Sequence, residues 1–193
     1  HVVNGGGLTA FQIFPDDELE IINDEGNQLC EIICFDKDGK SDVGILNLKP
    51  NNEKNFIRDL LSGSDETILA TNYQLKKRNL KISNSKSSII FDRETRPGEK
   101  VKFKSKDKCY AIFAAPGEDM DVTNQNPPTD LTIFVKRAKI INDKELNVIP
   151  DPVFEPSYEK NINKESCISY EVKEGDYIQV ISPTGRQCSD FVA

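Results

Sequence analysis

Glu118, Asp119 and Asp121, with Asn124, Asn126 and Asp130 close behind, form the densest group of oxygen-bearing side chains in this sequence. Carboxylates at such spacing can hold a hard cation or divide the roles of general acid and base. Asx side chains also stabilise loops by bonding their own backbone, and here that is the simpler reading, with a ligand or cation site as its alternative. A smaller group, Arg186, Gln187, Cys188 and Asp190, lies near residue 193. A thiol beside a guanidinium can be poised as a nucleophile, although a structural thiol is again the simpler reading. Gln187 has a counterpart in Gln28. Each follows a turn glycine (Gly185, Gly26) by two positions, from where its amide can bond the turn backbone.

Other chemistries are excluded by residue type or spacing. Residues 36–42, DKDGKSD, suggest a calcium loop, but an EF-hand needs glycine at position 6 and glutamate at position 12. Here Gly39 falls at position 4 and Asn47 at position 12, so a hairpin turn is expected. His1 is the single histidine, which removes Ser-His-Asp triads, Cys-His pairs and histidine-based metal centres. The five cysteines lack metal-knuckle spacing. Cys30 and Cys34 would share one face of a strand as small buried hydrophobes, and a reducing, cytoplasmic setting is expected. No catalytic residue, metal or cofactor is expected in these residues.

A net charge of −7 argues against a general nucleic-acid binder, which needs excess Lys and Arg to displace counterions. Lys76, Lys77 and Arg78 are read as a solvated edge strand or turn. No apolar run approaches the ~20 residues that span a bilayer, and no secretory signal is visible. Neither nucleic acid nor membrane is an expected partner.

The elements that would position these residues are mostly strands. Alternating apolar residues mark Leu8 to Ile22, Gln28 to Phe35, Val43 to Leu48, Ile68 to Ala70, Leu75 to Leu80 and Ser88 to Asp92. Further strands are expected at Val101 to Lys104, Cys109 to Ala115 and Leu131 to Val135. One helix is expected at 52–62, where Phe56, Ile57, Leu60 and Leu61 make an apolar stripe and Gly63 a stop. The expected fold is mainly β: a β-sandwich or distorted barrel with one short helix. The domain would occupy residues 1–138, and residues 139–166, with Pro150, Pro152 and Pro156, would be an extended linker.

The remaining residues, 167–193, repeat the start of the chain. YEVKEGDYIQVISPTGRQCSDFVA (170–193) aligns without a gap on FQIFPDDELEIINDEGNQLCEIIC (11–34), an offset of 159. Asp176 falls on Asp17, Gly185 on Gly26 and Gln187 on Gln28, and the apolar positions keep step. Residues 167–193 are therefore expected to be the opening hairpin of a second, truncated copy. Together with the missing initiator Met, this suggests a piece of a larger protein. Such a hairpin needs a packing partner, either the other domains of the same protein or a second chain paired through strands to give a homodimer.

Two stretches resemble a known family. RPGEKVKFKSKDKCYAIFAAPGEDMDVTNQNPPTDLTIFV (96–135) resembles the closing segment of the urea-carboxylase-associated family, with its Pro-Gly turn, acidic loop and Pro-Thr dipeptide. Residues 170–193 are similar to that family's opening hairpin, with a Gly-x-Gln turn and the Asp190-Phe191 pair, and residues 11–35 resemble it less closely. Such domains also occur ahead of folate-dependent aminomethyltransferases of the glycine-cleavage T-protein kind, and the resemblance implies tetrahydrofolate in the parent protein. The family's polar centre rests on a His-Asp pair and a downstream Cys, whereas residues 36–92 contain neither His nor Cys. The expectation is thus a non-catalytic β module that packs and positions the neighbouring domains of an aminomethyltransferase-like protein. The alternative is a urea-carboxylase-associated enzyme domain acting on a small nitrogenous metabolite at the 118–130 loop. A surface adhesion module is disfavoured, because neither a signal peptide nor a disulfide framework is seen.

Overall fold

The computed structural model describes residues 1–51, 55–117, 122, 125–138, 156–181 and 188–192. The chain divides into two units, His1–Ile140 and Ile141–Ala193.

In the first unit the period-two alternation becomes two four-stranded antiparallel sheets. Strands β1 (Val2–Val3), β3 (Glu18–Asn23), β6 (Glu99–Lys104) and β8 (Leu131–Lys136) form one sheet, in the order β1-β8-β3-β6. Strands β2 (Leu8–Ile13), β4 (Cys30–Phe35), β5 (Ser88–Ile90) and β7 (Cys109–Ala114) form the other, in the order β2-β7-β4-β5. Phe11, Ile13, Leu19, Ile21, Ile32 and Phe113 meet between the sheets, with Cys30, Cys34 and Cys109 among them. The mainly β sandwich expected from the alternation is what forms.

The outer faces differ, and the sequence explains why. β4 reads CEIICF and is buried at every position. A continuous run of this kind needs cover on both faces, and the second cover is helical. Ile33, Phe35 and Ile112 pack under Ile57, Leu61, Ile68 and Leu75. β6 reads EKVKFK and turns its lysines to solvent.

The second helix corrects the sequence reading. Glu66–Lys77 is a helix (α2), not two strands. Asp65 caps it, with its carboxylate accepting from Ile68 N–H at 3.0 Å, and Ile68, Thr71 and Leu75 are buried at helical spacing. Lys76 and Lys77 sit in its last turn, where cations complement the helix dipole, rather than on an edge strand. The expected helix at 52–62 is a shorter one, α1 (Phe56–Leu60), and residues 52–54 lie outside the described residues. Val43–Leu46 is a 3-10 turn instead of a strand, because the Asp42 carboxylate takes Gly44 N–H at 2.8 Å and Asn47 ends it in the left-handed region.

The expected hairpin over 11–35 is also corrected. β2, β3 and β4 follow one another in sequence, yet each step changes sheet. The corners are the cause. At the first, Asp16 takes φ 66° and the buried Asp17 carboxylate accepts from Phe14 N–H at 2.9 Å and from Ala138 N–H at 3.1 Å. Arg137 completes it as an ion pair at 2.5 Å. At the second, Gly26 takes φ 81°, and a Cβ there would lie 2.7 Å from Thr95 O.

In the second unit, a turn closes at residues 173–176, with Asp176 N–H donating to Lys173 O at 3.0 Å. No strand is assigned among its described residues, and residues 182–187 of the expected hairpin lie outside them. Tyr170, Val172, Ile178 and Val180 are exposed.

Candidate functional site

Gln28 organises the polar end of the sandwich. It follows the Gly26 and Asn27 corner, both with positive φ, and is almost completely buried. Its Nε2 donates to Leu29 O at 2.9 Å and to Pro116 O at 3.0 Å. Its Oε1 accepts from Thr129 N–H at 2.8 Å. One side-chain amide thus ties the corner to the stretches at Pro116 and Thr129, on either side of the acidic run. Its side chain bonds the following residue, Leu29, rather than the expected turn backbone at 24–27. The two longer-range bonds are not foreshadowed by local sequence, because glutamine carries no spacing signal for a partner about a hundred residues away.

Beside this clamp lies a shallow open cleft. Asn27, Gln28 and Leu29 form one wall, Arg93 another, and Pro116, Gly117 and Asn126–Pro128 the third. Its lining thus combines the amide-bearing residues Asn27, Gln28 and Asn126 with Pro116, Pro127 and Pro128. Behind it, Asn23 is fully buried. Its Nδ2 donates to Gln28 O at 2.8 Å, while its Oδ1 has no hydrogen-bond partner among the described residues. Thr129 Oγ1 is likewise buried without a partner. Buried polar atoms of this kind are usually satisfied by protein or ordered water.

Of the sequence-derived candidates, Glu118, Asp119, Asp121, Asn124 and Gln187 lie outside the described residues, as do Met120 and Arg186. Asn126 lines the cleft and is exposed. Asp130 does not line it; its carboxylate accepts from Gly5 N–H at 2.9 Å. Asp190 and Cys188 are exposed residues of the second unit. At 36–42 the hairpin turn is confirmed. Asp36 Oδ1 accepts from Asp38 and Lys40 N–H at 2.9 and 2.8 Å, which spends the carboxylate on its own loop.

Titration is perturbed away from the cleft. Hydrogen bonding to Lys102 holds Glu20 below the usual carboxylate range and raises Lys102 in return. Burial pushes the Cys30 thiol up. The Cys34 thiol is raised by its hydrogen bond to Cys109 and by burial, which makes both poor nucleophiles. No group of three or more His, Cys, Asp or Glu placed to hold a metal occurs among the described residues. No helix there is long and apolar enough to cross a membrane.

No protein-family profile matches the chain. It is similar to the trimethylamine-oxide aldolase of Ruegeria pomeroyi, at 32% identity over 191 residues. The match covers 99% of this chain and 24% of that protein, so the chain spans about a quarter of the curated relative's length. Among solved structures, a DUF1989-family protein from Silicibacter pomeroyi aligns with a TM-score of 0.37 and 11% identity, over 72% of this chain and 77% of that one. The relative corrects the functional expectation. A protein matched across nearly all of this chain is named an aldolase, which overturns both the aminomethyltransferase-like assignment, with its link to the glycine-cleavage T-protein, and the reading as a merely packing module.

Proposed function

We propose that this chain is part of an enzyme of the trimethylamine-oxide aldolase kind. The observation that carries this is the 32% identity spread over 191 residues. The chemistry follows from the substrate in that relative's name. Trimethylamine oxide contains only N-methyl carbons, so the aldehyde an aldolase releases from it is methanal, and dimethylamine remains. One N–C bond breaks, the oxygen passes from nitrogen to that carbon, and a methyl proton moves to nitrogen. The carbon is oxidised as the nitrogen is reduced, so no outside oxidant is consumed.

Within this reading, the cleft beside Gln28 is where the chain meets the amine oxide. Asn27 and Asn126 offer amide donors to an oxide oxygen, and Leu29 and Pro128 offer apolar surface to methyl groups. The five free cysteines support a reducing, cytoplasmic setting. The test is to incubate the whole protein with trimethylamine oxide and to measure methanal and dimethylamine. Equal amounts of the two are expected, and neither product appearing would defeat the reading. Asn126→Ala should raise KM while leaving kcat in place, as loss of uniform binding does.

A further inference from the structure

Two turns 159 positions apart have the same construction. In the first, Phe14 N–H donates to Asp17 Oδ2 at 2.9 Å, Asp17 N–H returns to Phe14 O at 3.2 Å, and Asp16 takes φ 66°. In the second, Lys173 N–H donates to Asp176 Oδ2 at 2.7 Å, Asp176 N–H returns to Lys173 O at 3.0 Å, and Gly175 takes φ 87°. The sequence repeat is therefore also a repeat of local geometry.

Their surroundings differ. After the first turn, β3 lies between β6 and β8, and Leu19 and Ile21 are 1% and 0% exposed. The Asp17 carboxylate there also receives Arg137 and Ala138 N–H. After the second turn, Ile178 and Val180 are 38% and 62% exposed, and Lys173 is the one partner Asp176 has among the described residues. Tyr170 and Val172, the counterparts of Phe11 and Ile13, are exposed as well. Alternating apolar residues on a preformed corner invite strand pairing, and the first copy shows what covers them.

We propose that residues 170–181 are a docking edge for a β-sheet partner of defined chemistry. The partner presents two antiparallel strands to residues 177–181, one of them followed by an arginine that reaches Asp176. It does for this edge what β6 and β8 do for residues 18–22 and Arg137 does for Asp17.

The test extends the full chain after Ala193 with a second copy of residues 35–138, which supplies such strands and their arginine, and follows amide exchange by mass spectrometry. Exchange at 178–181 should slow at least about tenfold, as burial in a sheet requires, and should do so at every protein concentration. Asp176→Ala in the extended chain should return it to the starting rate while leaving residues 19–22 unchanged. A synthetic peptide of residues 129–138, added in excess to the unextended chain, gives a second reading: the same slowing, lost when its arginine is replaced by alanine. Fast exchange in both settings overturns the proposal, as does slowing that survives removal of Asp176 and of the arginine. Slowing of the unextended chain that disappears on dilution assigns the edge to a second copy, and overturns it too.

Discussion

A single buried amide does more for the polar end of this sandwich than the carboxylates that stand out in its sequence. Gln28 satisfies two carbonyls and one N–H drawn from three separate stretches of backbone. Replacing it with alanine leaves Pro116 O and Thr129 N–H without that partner, so Gln28→Ala should cost about 2–4 kcal/mol. Urea unfolding would show this as a lower midpoint at unchanged slope. Gln28→Glu separates the two halves of the clamp: a carboxylate can still accept from Thr129 but cannot donate to Pro116 or Leu29. It should therefore remain clearly destabilising, and a neutral Gln28→Glu would refute the donor role. The sequence pointed to this residue only through its place after Gly26. Its distant partners depend on the sheet order, which no local spacing reveals. Asp17 is similar: its position within a turn was legible, whereas its pairing with Arg137 across 120 residues was not.

Among the elements, alternation locates the sandwich strands well, whereas the helical stretches are poorly located: α1 is shorter than expected and α2 is expected as strands. β6, β7 and β8 stand within a residue or two of where alternation puts them. α2 was missed because Ile68, Leu75 and the half-buried polar residues between them give few apolar positions, so short windows resembled strands. Asp65 at the cap was the stronger signal. The solvent face of the β3–β6 pair gives a pH prediction. Glu20 accepts from Lys102 at 2.8 Å and from Lys100 at 3.3 Å, on an exposed surface where such pairs contribute little individually. Because the folded Glu20 lies below its ordinary 4.5, its contribution is present above that pH and is lost as pH falls through the lowered folded value. Lys102 lies above its ordinary 10.5, so its share is fully present below that pH and is lost as pH rises through the raised value. Thermal unfolding of wild type and Glu20→Gln should therefore differ by a small, constant amount between those limits, and the difference should close in acid. A gap that widened in acid would show that the lysines act through another group.

For the whole molecule, the sequence displayed the repeat but not the path of the chain through it. Residues 11–34 looked like a hairpin because two alternating runs flank a turn. Positive-φ corners at Asp16 and Gly26 send successive strands into opposite sheets instead, and sequence alternation is the same for either route. The two units should consequently respond differently to protease. In the first, Lys100, Lys102 and Lys104 belong to a strand hydrogen-bonded along its length to β3, and a protease must open that strand before cutting. In the second, Lys160, Lys164 and Lys173 are exposed, on backbone to which no strand or helix is assigned. Brief trypsin treatment of the native chain, followed by mass spectrometry, should cut after these three lysines well before any bond within residues 99–104. The surviving product should retain the β-rich circular dichroism of the intact chain, since the sheets and both helices lie within the first unit. Early cleavage within β6, or loss of the β signal as residues 156–181 are removed, would show that the sandwich depends on the second unit for its stability.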